Sequence, residues 1–208
     1  MLIEPAIERY LLRQQPPPNE VLAEMGRVGD RRKFPIVGPL VGRLLDQSAR
    51  SIGAQTVFEM GSGFGYSTAW FARAVGPKGR VVHTETDPAL ANEAKGWLRK
   101  AGHLKRVEFR LGDAVELLAN DDGPYDLVFI DIEKEDYPHA WKLARRRVRV
   151  GGLVLTDNAL WHGKVAGKAK DAATTGVREY NRLAQSDPRF LTTILPVRDG
   201  LAVSLRLR

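Results

Sequence analysis

Residues 57–67 read VFEMGSGFGYS, an apolar run that enters three glycines at alternate positions and then a helix-compatible segment. A strand that turns on glycines into a helix is the opening unit of a βαβ fold. Gly61, Gly63 and Gly65 let the backbone turn tightly and approach a ligand with no Cβ in the way. Outward from this turn the alternation continues, with strand-like runs at 56–60, 80–84, 107–111, 127–130 and 153–156 and helix-like stretches at 66–75, 88–101 and 137–149. The pattern predicts an α/β fold with a mostly parallel sheet and helices on both faces. Two further strand-like runs, 190–196 and 201–207, are joined by VRDG. They predict a C-terminal antiparallel hairpin and bring the sheet to seven strands.

The chain has 208 residues, 43% of them hydrophobic, which suits one structural domain with a substantial core. Residues 1–50 read as an N-terminal helical extension, broken by QQPPPNE at 14–20, where prolines cannot sit inside a helix. This extension is expected to help cover substrate and cofactor, and 51–208 to form the main domain. The absence of cysteine excludes disulfides, thiolate metal sites and a cysteine nucleophile. The amino terminus is charged by residue 4 and has no long apolar core, and nowhere do eighteen apolar residues run together. A cytoplasmic protein with no membrane partner is therefore expected. The net charge of +7 permits an anionic partner. Its densest cluster, ARRRVRV at 144–150, reads as a solvated helix end behind an apolar stripe of Trp141, Ala144 and Val148, or alternatively as a binding patch. Arg27, Arg31, Arg32 and Lys33 form a looser second cluster.

Open parallel sheets bind ligands at the carboxyl ends of their strands, where strand order reverses. The first strand ends in Glu59, and the dinucleotide fingerprint would need glycine at position 66, where this chain has Tyr66. The G-x-G-x-G spacing instead resembles motif I of class I S-adenosylmethionine-dependent methyltransferases; a purely structural tight turn is the alternative. The second strand leads into Glu85, twenty residues past Gly65, where a carboxylate can accept from both ribose hydroxyls or simply face solvent. Asp87 reads as the cap of the helix opened by Pro88. Asp113 after the third strand suits the adenine amino group, a helix cap, or both.

The fourth strand runs into Asp131, with Lys134 three residues on, and the fifth into Asp157 and Asn158. If those strands are neighbours, about 5 Å apart, two carboxylates and an amide oxygen converge at the edge that carries the glycine turn. Three hard oxygen donors suit magnesium, calcium or manganese; taken singly, each aspartate could just as well cap a loop.

Together, EMGSGFGYS, TETDP, GDA, FIDIEKEDY, DNALWHGKV and RDGL resemble, in order, the cation-dependent O-methyltransferases that include catechol and caffeoyl-CoA O-methyltransferases and their small bacterial relatives. The resemblance covers about residues 35–205. It implies a Rossmann-like methyltransferase fold and S-adenosylmethionine as cofactor, together with a divalent cation, magnesium first. The cation would be held by Asp131, Asp157 and Asn158. Cofactor contacts would come from Glu59, Gly61, Gly63, Gly65, Tyr66, Ser67, Glu85, Asp113, Ala114 and Asp131. Lys134 would be the general base, where without this context it reads as a solvated lysine between Glu133 and Glu135. A homodimer and a small catechol-like or phenolic acceptor are also implied. Relatives that methylate a hydroxylated tRNA uridine make nucleic acid the second reading, and a non-catalytic nucleotide-binding protein the third. The chain departs from the family in reading DIEK where DADK is common, which puts Ile132 near the adenine edge and Glu133 where catechol O-methyltransferase has an aromatic. Acceptor shape is expected to depend on residues 34–37, Trp161 and His162.

Overall fold

Among the described residues three helices precede the sheet: α1 (Pro5–Gln14), α2 (Glu20–Arg32) and α3 (Gly38–Ser51). A computed structural model describes residues 4–15 and 19–208, so the proline run at 16–18 lies outside the described residues. The sheet and its helices follow as β1 (Thr56–Met60), α4 (Tyr66–Ala74), β2 (Arg80–Glu85), α5 (Pro88–Lys100), β3 (Val107–Leu111), α6 (Ala114–Ala119), β4 (Tyr125–Ile130), α7 (Tyr137–Arg147), β5 (Val148–Thr156), α8 (Ala172–Ser186), β6 (Phe190–Leu195) and β7 (Leu201–Arg206).

The seven strands lie in the order β3-β2-β1-β4-β5-β7-β6. Pairings from β3 through β5 are parallel, and β7 runs antiparallel to both β5 and β6. The expected Rossmann-like, mostly parallel sheet with an antiparallel C-terminal hairpin is what forms. Strand order reverses between β1 and β4, so the crevice for a ligand opens above their carboxyl ends.

Both faces of the sheet are buried, and the two-residue period of a strand divides the core accordingly. Along β4, Leu127 and Phe129 enter one cluster with Met25, Leu45, Trp70 and Leu98 from the helices α2 to α5. Val128 and Ile130 enter the other, with Leu118, Trp141 and Tyr180 from α6, α7 and α8. Buried side chains of this size stabilise the fold by about 1.5–3 kcal/mol each. Local chemistry sets the helix starts: Asn19 accepts from the Leu22 amide, and Asp87 from the Ala89 amide just ahead of Pro88. Among the described residues no helix is long and apolar enough to cross a membrane.

The arginine-rich stretch corrects one expectation. Helix α7 stops at Arg147, because Val148 pairs with Tyr125 as the first residue of β5. Nor is the cluster simply solvated. Arg145 pairs with Asp187 at 2.7 Å, Arg149 with Asp126 at 2.5 Å, and Arg147 donates to the Ala119 carbonyl at 3.1 Å. These contacts sit at the amino ends of β4 and β5, the end of the sheet away from the crevice.

Candidate active site

A cleft of about 600 Å³ opens over the carboxyl ends of the strands. Its floor is the turn after β1. A Cβ on Gly61 (φ +79) would lie 2.2 Å from the Asp131 carbonyl, so only glycine lets β1 and β4 end this close together. Above Gly63 sits the Phe34 ring, which also meets Phe64 edge-on at 5.1 Å. The turn is tied to β2 by hydroxyls: Ser62 Oγ donates to Glu59 and accepts from the Thr84 amide, and Thr84 Oγ1 donates to the Glu59 carbonyl at 2.7 Å. Thr84 opens the TETDP fragment, yet nothing local to it announces this role.

Glu85 does not simply face solvent. One carboxylate oxygen accepts from the Gly63 amide at 2.8 Å, and the other from the amides of Thr86 and Asp87 at 2.8 and 3.0 Å. Backbone donors thus fix its carboxylate at the cleft wall. Asp113 caps α6, accepting from the Val115 and Glu116 amides at 2.9 Å, and lines the cleft with Ala114. Tyr66 and Ser67, at the start of α4, line it as well.

Two expected cofactor residues sit elsewhere. Glu59 is fully buried beneath the turn, where Ser62 and Thr68 donate to it, and burial pushes its carboxyl up to about 7. Thr68 in turn contacts His83 Nδ1 at 3.0 Å, and burial drives that imidazole down to about 3. Gly65 is absent from the cleft wall; its missing Cβ makes room for Ala94 of α5.

The other half of the cleft is built by β4 and β5, which are adjacent as the convergence of their carboxylates required. The Asp131 amide donates to Met60 O at 2.9 Å and the Asp157 amide to Ile130 O at 3.1 Å, so both aspartates are hung from strand ends. Burial raises both carboxyls above the usual range; the charge of Asp131 adds to the shift at Asp157, and Lys134 opposes it at Asp131. Asn158 adopts φ 54 and donates through Nδ2 to Asp199 at 3.2 Å. A carboxylate only accepts, so this contact assigns the amide and leaves Asn158 Oδ1 as the free acceptor. Asp199 also accepts from the His162 amide and, through its own carbonyl, from the Leu160 amide. Sequence reasoning missed its role because the partners lie some forty residues away.

Lys134 opens a short 3₁₀ turn, Lys134–Asp136, and is mostly buried. Its ammonium contacts Asp131 Oδ1 at 3.3 Å and the Ile132 carbonyl at 2.9 Å, with the Tyr137 and Trp161 rings 5.1 and 5.6 Å away. The reading of a solvated loop lysine is therefore replaced by one held inside the site. Tyr137 donates to the Asp157 carbonyl at 3.0 Å. Ile132, Glu133, Trp161, His162 and residues 34–37 all line the same cleft.

A glycine turn and an acidic residue on β2, facing an acid–lysine pair at the switch point of this sheet, define the class I methyltransferase architecture. The chain belongs to the O-methyltransferase family, whose pattern it matches over residues 18–207. It is 35% identical over 170 residues to a catechol O-methyltransferase of Mycobacterium tuberculosis, covering 79% of this chain and 77% of that one. To a catechol O-methyltransferase of Niastella koreensis it is 32% identical over 179 residues, covering 81% of each. Among solved structures it resembles the O-methyltransferase TomG of Streptomyces achromogenes in complex with S-adenosylmethionine, with a TM-score of 0.89, 28% identity, and coverage of 98% and 96%. The protein is an S-adenosylmethionine-dependent O-methyltransferase.

Proposed function

We propose that this enzyme transfers the methyl group to a hydroxyl of a small catechol-like or phenolic acceptor and uses a divalent cation, magnesium first. The observation that carries the proposal is the pairing of two carboxylates, the buried Asp157 and the partly buried Asp131, with an oriented Asn158 oxygen at one sheet edge. Two carboxylates buried in each other's field are costly as anions, and a divalent cation among them removes that cost. Among the described residues no three His, Asp or Glu side chains cluster as a metal site. The Asn158 amide oxygen would be the third protein donor, with the remaining positions left to water and acceptor. A bound cation would supply Lewis acidity that lowers the pKa of an acceptor hydroxyl.

The protein's own groups do the rest. Lys134, beside Asp131, is the group placed to take the acceptor proton. Glu85 would hold the ribose, Asp113 the adenine edge, and the glycine turn the methionine portion of the cofactor. Residues 34–37 and the N-terminal helices behind them would cover the cleft and exclude water. The sulfonium methyl is already activated, so orientation of the oxygen in line with it is the main remaining task.

A cleft of about 600 Å³ that must hold cofactor and acceptor together favours a small acceptor. The placement of the 144–150 arginines at the far end of the sheet, three of them already engaged, supports that choice over nucleic acid. A homodimer, on the strength of the family resemblance, and a cytoplasmic location complete the proposal. The test is transfer of labelled methyl from the cofactor to a panel of catechols, phenolic acids and tRNA, before and after chelation. Activity that disappears with chelator and returns with magnesium is expected. Undiminished activity after exhaustive chelation would reject the cation.

A further inference from the structure

The turn between β6 and β7 contains Arg198 in the left-handed region, at φ 48. A side chain is disfavoured there, and such strain persists where surrounding structure holds it. What holds Arg198 is a contact 162 positions away in the chain: its Nη1 donates to the Ile36 carbonyl at 2.8 Å. The guanidinium fills the space beside Gly38, where a Cβ would lie 2.1 Å from Nη1 and 2.9 Å from Cζ. Gly38, itself at φ +70, thereby leaves a seat for the arginine as it starts α3.

The segment so gripped is the cleft wall. At its near end the Phe34 amide donates to the Gly29 carbonyl at 2.9 Å, and the Ile36 side chain packs where Gly29 has no Cβ. In between, Phe34 lies over the glycine turn. The neighbouring Asp199 holds Asn158 and His162 on the opposite side of the cleft. One turn therefore reaches both walls.

We propose that Arg198 is a positioning residue for ligand binding: its guanidinium clamps residues 34–37 over the glycine turn and so slows departure of the cofactor. This rests on the reading above that residues 34–37 cover the cleft. The probe is S-adenosylhomocysteine, the product of the established reaction, with the full-length chain. In Arg198→Gly its dissociation becomes roughly tenfold faster, the loss of one hydrogen bond from a charged donor, and amide exchange speeds up across residues 34–38. The thermal midpoint holds or rises, because glycine relieves the left-handed strain. Arg198→Lys, which keeps a cationic donor, recovers part of the slow dissociation. Gly38→Ala strains the backbone at φ +70 in either background, so the excess of its effect in the wild type over its effect in Arg198→Gly reports expulsion of the guanidinium, and an equal effect in both counts against the clamp.

Faster dissociation with a matching loss of thermal stability would make Arg198 merely structural and overturn the proposal. So would unchanged dissociation and exchange in Arg198→Gly. If saturating S-adenosylhomocysteine fails to protect residues 34–38 in the wild type, the covering role fails and takes the proposal with it. A segment that is protected but indifferent to Arg198→Gly refutes the clamp alone.

Discussion

Gly176→Ala gives a sharp test of whether the placement of Lys134 governs catalysis. Gly176 is buried in α8, and a Cβ there would stand 2.2 Å from the Lys134 carbonyl oxygen and 2.9 Å from Glu135 Cα. Both obstacles are backbone, so no side chain can swing away. The helix and the Lys134–Asp136 turn must part by roughly 1 Å to restore ordinary contact. Overpacking of this kind costs about 1–3 kcal/mol, and the better helix propensity of alanine returns about 1 kcal/mol. A net loss of about 0–2 kcal/mol lowers the thermal midpoint by at most about 8 °C in a chain of this size. Catalysis responds more steeply, since a displacement of about 1 Å can cost on the order of 100-fold in rate. Initial rates with labelled cofactor and catechol, thermal scans and calorimetry with S-adenosylhomocysteine separate the three effects. The expected result is a turnover loss near that size with unchanged cofactor affinity. Gly96→Ala is the control: nothing lies within 4 Å of its Cβ, and the change should stabilise α5 by about 0.5–1 kcal/mol with normal activity. Turnover of Gly176→Ala within threefold of wild type would refute the dependence on Lys134 position.

Lys134→Ala should lower turnover by roughly 100- to 10,000-fold, the usual contribution of a positioned base, and lose less on a nitro-substituted catechol, whose hydroxyl ionises more readily; steady-state rates on both acceptors check this. Glu85→Ala should weaken S-adenosylhomocysteine by roughly 1.5–3 kcal/mol in calorimetry, the worth of hydrogen bonds to a charged acceptor. Stability against pH should carry the signature of two buried groups with opposite shifts. Glu59 binds its proton more tightly folded than unfolded, at about 7 against 4.5. It therefore adds stability that is complete below pH 4.5 and lost as pH rises through 7. His83 binds its proton less tightly folded, at about 3 against 6.5, so its contribution is complete above pH 6.5 and lost as pH falls toward 3. Their slopes, about 1.4 kcal/mol per pH unit each, cancel between pH 6.5 and 4.5. Asp131 and Asp157 are raised as well and add slopes of their own, so the test is a difference: in urea melts the stability of the wild type minus that of Glu59→Gln should grow by about 1.4 kcal/mol per pH unit as pH falls from 7 toward 4.5 and then level off; a flat difference would contradict the assignment.

The sequence showed most clearly what is local. β1 and β3 occupy the residues expected, because β1 is a largely apolar run closed by Gly61 and β3 alternates apolar and charged residues up to Gly112. β5 was harder. Val148–Val150 follow an arginine run that continues the helical pattern, and Gly151–Gly152 look like a break. Pairing of Val148 with Tyr125 across an irregularity in the ladder makes them strand. The cleft-lining positions Gly61, Glu85, Asp113, Asp131 and Asp157 were legible because strand ends mark them, whereas Lys134 stood out only through the family resemblance. The roles of Thr84, Asp199, Arg198 and Gly176 were not legible, although the first three lie in the TETDP and RDGL fragments, since each acts on a partner some 20 to 160 residues distant.

The strand order has a further consequence. β3, β2 and β1 come from residues 56–111 and carry the glycine turn and Glu85, while β4, β5, β7 and β6 come from residues 125–206 and carry Asp131, Lys134, Asp157 and Asn158. The β1–β4 seam thus joins two consecutive stretches of chain. The exposed connection around Asp122 is the place to sever them. One fragment would then hold the residues proposed to contact ribose and methionine and the other the proposed base and oxygen donors. Methyl transfer would report their reunion, making this fold a natural split reporter for the association of whatever two proteins the halves are fused to.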